Sequence, residues 1–121
     1  MLDELKKLET FNKWRKESID LLTEKKIGKN EFLEINYEYL VKLDLKPFSN
    51  ISTILQAVYN YQYYNIMAKR SNQMALNLIS KKKKKYQQEI NNRENYYYLK
   101  DLATEKLLEL IDYKDIEAYF I

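Results

Sequence analysis

The chain has 121 residues, a formal net charge of +3, one glycine, one proline, no histidine and no cysteine. One domain fits that length and two do not, and the want of Gly and Pro excludes most β architectures and every glycine-rich phosphate loop. Without imidazole or thiol, histidine bases, cysteine nucleophiles, disulfides and zinc fingers are excluded as well.

The first predicted helix covers roughly residues 2–26, with Leu5, Leu8, Phe11, Ile19 and Leu22 on one face and Trp14 and Leu21 at its margin. Its start, Met1 to Lys7, is charged and has no apolar secretory core, so a cytoplasmic location is the expectation. Gly28 reads as the residue just past the helix end, where a left-handed backbone favours glycine. Arg15 falls inside the apolar stripe. It either snorkels, with its stem packed and its guanidinium in water, or is held for a carboxylate in the core or on a partner.

Asn30 is the expected N-cap of a second helix, from about Glu31 to Asp44, which Pro47 brings to an end. Phe32, Leu33, Tyr39, Leu40 and Leu43 make its apolar face and Asn36 sits at the centre of it, so a neighbouring helix must offer polar groups to that amide. The third helix is predicted from Thr53, which with Gln56 fits a capping box, to about Ser80. No charged residue occurs from Pro47 to Ala68, the pattern of a central helix covered on several sides. Its core stripe reads Ile54, Ala57, Val58, Tyr61, Ala68, Ala75, Leu76 and Ile79, joined by Asn65 and Asn72. A membrane span is rejected because Gln56, Asn60, Gln62 and Asn65 are costly in lipid. A fourth helix starts within or after Lys81–Lys85 and reaches about Asp112, and Ile116, Tyr119 and Phe120 suit one further helical turn. The whole is an all-α single domain over residues 1–121: an antiparallel four-helix bundle with a long uncharged central helix and a short C-terminal helical turn.

Charge is unevenly spread. Residues 51–100 hold nine basic and two acidic side chains, a net of +7, and no carboxylate occurs between Asp44 and Glu89. Such asymmetry points to an acidic or polyanionic partner, or to pairing with the acidic tail, since residues 101–121 hold two basic and six acidic side chains. The candidate partner or nucleic-acid surface is therefore Tyr63, Tyr64, Lys69, Arg70 and the run Lys81, Lys82, Lys83, Lys84 and Lys85. The plain alternative for the run is a solvated helix C-terminus, where lysine suits the dipole. If all five lysines neutralised phosphates, log K would fall against log salt with a slope of about −4.5 on duplex DNA. Tyr61 and Tyr63 point to opposite sides of a helix, so some phenols must meet a surface or an interface.

A buried polar network is expected from Arg15, Asn36, Asn65, Asn72, Glu94 and Asp101. With Glu105, the last two share a helical face that suits Mg²⁺ or Mn²⁺ in an all-α nucleotide pyrophosphohydrolase, with Glu31, Glu34 and Glu38 on the facing helix. The paired spacing of that class is absent, so ion pairs with Arg15, Lys69 or Arg70 are the better reading, and no metal or cofactor is assigned.

The strings NYEYL (Asn36–Leu40), LKPF (Leu45–Phe48), YNYQYYNIMAK (Tyr59–Lys69), NRENYYY (Asn92–Tyr98) and EAYF (Glu117–Phe120) together resemble an uncharacterised family of small helical proteins from low-GC, mostly anaerobic bacteria. The resemblance implies a helical fold and a bacterial or bacteriophage origin, and it brings no activity or site residue with it. The functional expectation is a non-catalytic helical module that docks on a protein, in the manner of a phage-type inhibitor of a nucleic-acid-handling enzyme. Direct binding of RNA or single-stranded DNA is the alternative, and a metal-dependent nucleotide hydrolase the third. A homodimer through the uncharged helix is a further expectation, and a membrane partner is not.

Overall fold

A computed structural model of the chain describes residues 2–78 and 83–111. Those residues form four helices and no strand: α1 (Leu2–Thr23), α2 (Lys29–Leu43), α3 (Ile54–Leu78) and α4 (Lys83–Leu110). Side-chain pairs fix the directions. Arg15 meets Asn36 and Trp14 stacks on Tyr39 between α1 and α2, while Gln73 reaches Asn30 and Arg70 reaches Glu34 between α2 and α3. Between α3 and α4, Arg93 reaches Asn72 and Lys100 lies over Tyr61. Each helix thus runs antiparallel to the one before it, as the sequence predicts. The expected turn at Ile116, Tyr119 and Phe120 lies outside the described residues.

The helix boundaries follow local chemistry, with two corrections. α1 stops at Thr23, and the left-handed residue is Lys25 (φ 61°), not Gly28. The bonds Lys26 N–H to the Leu21 carbonyl (2.9 Å) and Lys25 N–H to the Leu22 carbonyl (3.1 Å) make the Schellman pattern that satisfies the last carbonyls. Gly28 is instead the N-cap of α2, in an extended conformation (φ −85°, ψ 172°), its carbonyl accepting the Phe32 N–H at 2.9 Å. That displaces Asn30 from the cap into the first turn, where its Oδ1 accepts a bond from Gln73 at 2.9 Å. The capping box of α3 forms as expected: Thr53 Oγ1 accepts the Gln56 N–H and Gln56 Oε1 accepts the Thr53 N–H, both at 3.2 Å.

α3 is the hub. Six consecutive residues, Ala57 to Gln62, are buried, and since successive residues turn by about 100° every side of the helix is covered over that stretch. One core joins Ala57, Val58 and Tyr61 to Ala103 and Leu107 of α4. The other joins Tyr59 and Ile66 to Leu8 and Phe11 of α1 and Leu40 of α2, with the Phe11 and Tyr59 rings edge to face at 5.2 Å. The segment between α2 and α3 is tied to the same helix: Tyr59 donates to the Leu45 carbonyl, and the Asn60 amide both accepts from the Phe48 N–H (2.8 Å) and donates to the Phe48 carbonyl (2.9 Å). These bonds account for two polar groups in an otherwise apolar stretch.

Parts of the expected apolar stripes stay exposed. Leu5, Ile54 and Leu76 sit near helix ends, beyond the reach of a neighbour, and Leu76 is 60% exposed. α4 packs along α3 and makes at most slight contact with α1 and α2, so it buries a narrow stripe centred on Ala103 and Leu107. Leu102, Leu108 and Leu110 are exposed for that reason. Because α3 is wrapped by the other three helices, the stretch Ala57 to Gln62 of its uncharged run is buried within one chain. Among the described residues no helix is long and apolar enough to cross a membrane.

Candidate functional site

Arg15 is one of the most buried side chains in the protein, at 2% exposed. It does not snorkel. Its Nη1 donates to Asn36 Oδ1, and its guanidinium lies over the Phe32 ring at 5.0 Å. Asn36 in turn donates through Nδ2 to the Phe32 carbonyl at 2.7 Å, which fixes the orientation of the amide. Burial lowers the Arg15 pKa from 12.5 to about 10, partly offset by Tyr61, so the group remains a cation at neutral pH. A neutral amide and an aromatic face are thus among the groups around this buried positive charge.

This pair opens onto a cleft of about 480 Å³ between the α1–α2 hairpin and the second half of α3. Arg15, Lys29 and Lys69 line it, together with the amides of Asn30, Asn36, Asn65, Asn72 and Gln73. Leu22, Phe32, Leu33, Ile66 and Leu76 add apolar walls, and no carboxylate is among the described lining residues. The Lys69 ammonium lies below its ordinary pKa, first because of the surrounding protein and then because of Lys100, Arg15 and Lys29. Every one of those charges is positive.

The remaining predicted site residues disperse. Tyr63 and Tyr64 are half-buried and touch edge to face at 5.6 Å, but Tyr63 packs on the α1–α2 side and Tyr64 on the α4 side. Arg70 is engaged: it pairs with Glu34 and stacks over Tyr37 at 4.6 Å. Tyr63, Tyr64, Lys69 and Arg70 therefore do not share one open surface, because their spacing spreads them around a helix with neighbours on several sides. Lys81 and Lys82 lie outside the described residues; Lys83 opens α4, and Lys84 and Lys85 follow as exposed residues of its first turn. The sequence alternative of a lysine-rich helix C-terminus is thus reversed for those three. They occupy a helix N-terminus, where the dipole disfavours cations by about 0.3–1 kcal/mol each.

Half of the predicted polar network assembles. Arg15, Asn36 and Asn65 meet at the cleft, and Asn72 reaches its rim, where it accepts a bond from Arg93 at 2.9 Å. Glu94 and Asp101 are exposed, not buried: Glu94 pairs with its neighbour Arg93 at 2.7 Å, and the helical face that both share points away from α3. Ion pairs from Glu94, Asp101 and Glu105 to Arg15, Lys69 or Arg70 do not form. Among the described residues no three Asp or Glu side chains converge as metal ligands would.

Sequence reading missed Lys29, Lys100 and Arg93. Lys100 follows Tyr97 by one helical turn, and its ammonium lies 5.7 Å from the Tyr61 ring and 5.6 Å from the Tyr97 ring. The three-residue spacing was a local signal for half of that arrangement. Lys29 carries no such signal, since only the tertiary fold brings the start of α2 beside Lys69.

The fold and site together define a small all-α protein with converging cations and no described acidic cluster. The chain belongs to a family of unknown function, DUF6648, whose profile matches residues 1–121. No curated protein and no solved structure matches it.

Proposed function

We propose that this chain is a non-catalytic, cytoplasmic helical module that docks on a protein partner with an acidic surface, using the α4 side of the molecule. One observation carries the reading: among the described residues, several cations of the middle stretch form no ion pair with a described carboxylate. Residues 51–100 hold nine basic and two acidic side chains. In that stretch, among the described residues, Arg70 and Arg93 pair with carboxylates whereas Lys69, Lys84, Lys85 and Lys100 do not. Beside them on α4, Tyr98 and Leu102 are exposed, a stiff aromatic and an aliphatic one turn apart, which is the mixture that interface centres favour.

The test is affinity capture from the source cell with the wild-type chain and with a variant carrying Lys84→Glu, Lys85→Glu and Tyr98→Ala. A stoichiometric protein held by the wild type and lost by the folded variant supports the reading. Equal capture by both, or none by either, refutes it. A second reading, binding of RNA or single-stranded DNA, is favoured by the placing of Lys100 between two tyrosine rings, a pairing suited to phosphate and base stacking. It predicts affinity for a single-stranded oligonucleotide that falls with salt by about 0.7 log units per log unit for each phosphate contacted.

A further inference from the structure

We propose that the occupant of the outer face of α4 is a second copy of this chain, seated antiparallel across a two-fold axis that passes between Tyr96 and Tyr97. The inference rests on the docking reading of the α4 side and names its partner. The acidic surface is then the C-terminal half of the same helix.

Three observations carry it. The first is position. A seam at alternating intervals of four and three residues runs along α4 from Lys84 to Glu109, and every member of it is exposed. Ala103 and Leu107, on the other side of the helix, are buried in the core shared with α3. The interval pattern reads the same in both directions, so an antiparallel copy meets the seam member for member, as a closed two-fold interface requires. The second is charge. α4 is cationic at Lys84 and Lys85 in its first turn and anionic at Glu105 and Glu109 near its end, all four exposed. The two-fold sets Lys84 of each copy opposite Glu109 of the other, and Gln88 opposite Glu105, with the Lys84–Glu109 pairs about 19 Å either side of the axis. A parallel arrangement would set like charges together instead. Glu109 meets Lys106 of its own helix at 3.2 Å, yet its side chain is 65% exposed and keeps acceptor capacity. Glu94, the acid nearest Asp101 of the other copy, is paired with Arg93 at 2.7 Å. The third is the centre. Tyr98 (55% exposed) and Leu102 (46% exposed) lie close to the axis, where Asn95 and Asn91 of the other copy face them. An aromatic anchor at the middle with charges towards the rim is the anatomy of a specific interface. A face one helix wide is at the small end of such interfaces, so a dissociation constant on the order of 10 μM is expected.

Sedimentation velocity of the full chain from about 1 to about 300 μM reads the assembly directly. The wild type is expected to pass from monomer to dimer. Lys84→Glu and Glu109→Lys are each expected to weaken the dimer about tenfold or more, because one reversal turns attraction into repulsion at two symmetry-related places. Both positions are exposed, and circular dichroism with thermal unfolding verifies that the variants are folded. An equimolar mixture of the two variants is expected to recover the dimer, since both cross-axis pairs then join opposite charges again. A wild-type chain that stays monomeric at about 300 μM overturns the proposal. So do two variants that associate as the wild type does, or a mixture that associates no more tightly than its components. Capture of a different protein by a monomeric wild type, lost on Lys84→Glu, would overturn the second copy as occupant and leave the docking reading standing. A monomer that captures nothing would fail both.

Discussion

Asn36 shows how much one amide can determine. Its two hydrogen bonds, from Arg15 and to the Phe32 carbonyl, fix the amide beside a buried positive charge. Asn36→Leu keeps the volume and removes both bonds, so urea unfolding is expected to show a loss of about 3 kcal/mol. Adding Arg15→Met to that variant removes the stranded charge and is expected to recover part of the loss, because deleting both partners of a buried polar pair costs less than deleting one. The phenols give a pH signature. Tyr39, Tyr59, Tyr61, Tyr63 and Tyr64 are all held above their ordinary pKa of 10.0, each first of all by burial. The folded chain then holds these protons more tightly than the unfolded chain. Their contribution to stability is complete below pH 10.0 and is lost as pH rises through the folded values. Arg15 and Lys69, both lowered, act in the opposite sense above the Arg15 value of about 10, but two groups oppose five. Thermal unfolding from about pH 8 to about pH 11 is expected to show a falling midpoint. Tyr59→Phe makes that fall shallower while costing about 1 kcal/mol at neutral pH for the lost bond to Leu45.

At the scale of the element, what could be read ahead depended on whether the deciding contacts were local. The capping box of α3 is written in four consecutive residues, and it forms as written. Gly28 misled because a lone glycine after an apolar run has two meanings, C′ of one helix or N-cap of the next, and no local signal separates them. Lys25 and Asp44 took the left-handed positions instead, at φ 61° and φ 50°. The two meanings predict opposite outcomes for Gly28→Ser. At an extended N-cap with no side-chain cap and open space around the site of the Cβ, serine is expected to stabilise by about 0.5 kcal/mol, read as a rise in the urea midpoint. A left-handed C′ position would instead lose about 1 kcal/mol. α4 shows a related limit: periodicity shows that a helix has a buried side, but its width depends on how many neighbours it has, and α4 leans on α3.

The molecule as a whole is a hub with two cores and one cleft. The hub was legible, because a charge-free run from Pro47 to Ala68 has no exposed face to spend on solvent. The cleft was legible only in fragments. Arg15 and Asn36 stood out as polar residues on apolar stripes, and Asn65 as an amide beside them. That Lys29 and Lys69 join them depends on three helices meeting, which no spacing within one segment encodes. The acidic side chains were placed wrongly because α4 turns Glu94 and Asp101 towards solvent. Among the described residues Lys69 feels the charges of Lys100, Arg15 and Lys29, and like charges held near one another are a strain on the fold.

The most direct measurement of that claim is the thermal midpoint of Lys69→Met against wild type at low and at high salt. If Lys69 is repelled by Lys100, Arg15 and Lys29, the variant melts higher than wild type at low salt and the difference shrinks as salt screens the charges. A variant that melts lower at both salt concentrations would show that Lys69 is satisfied within the fold.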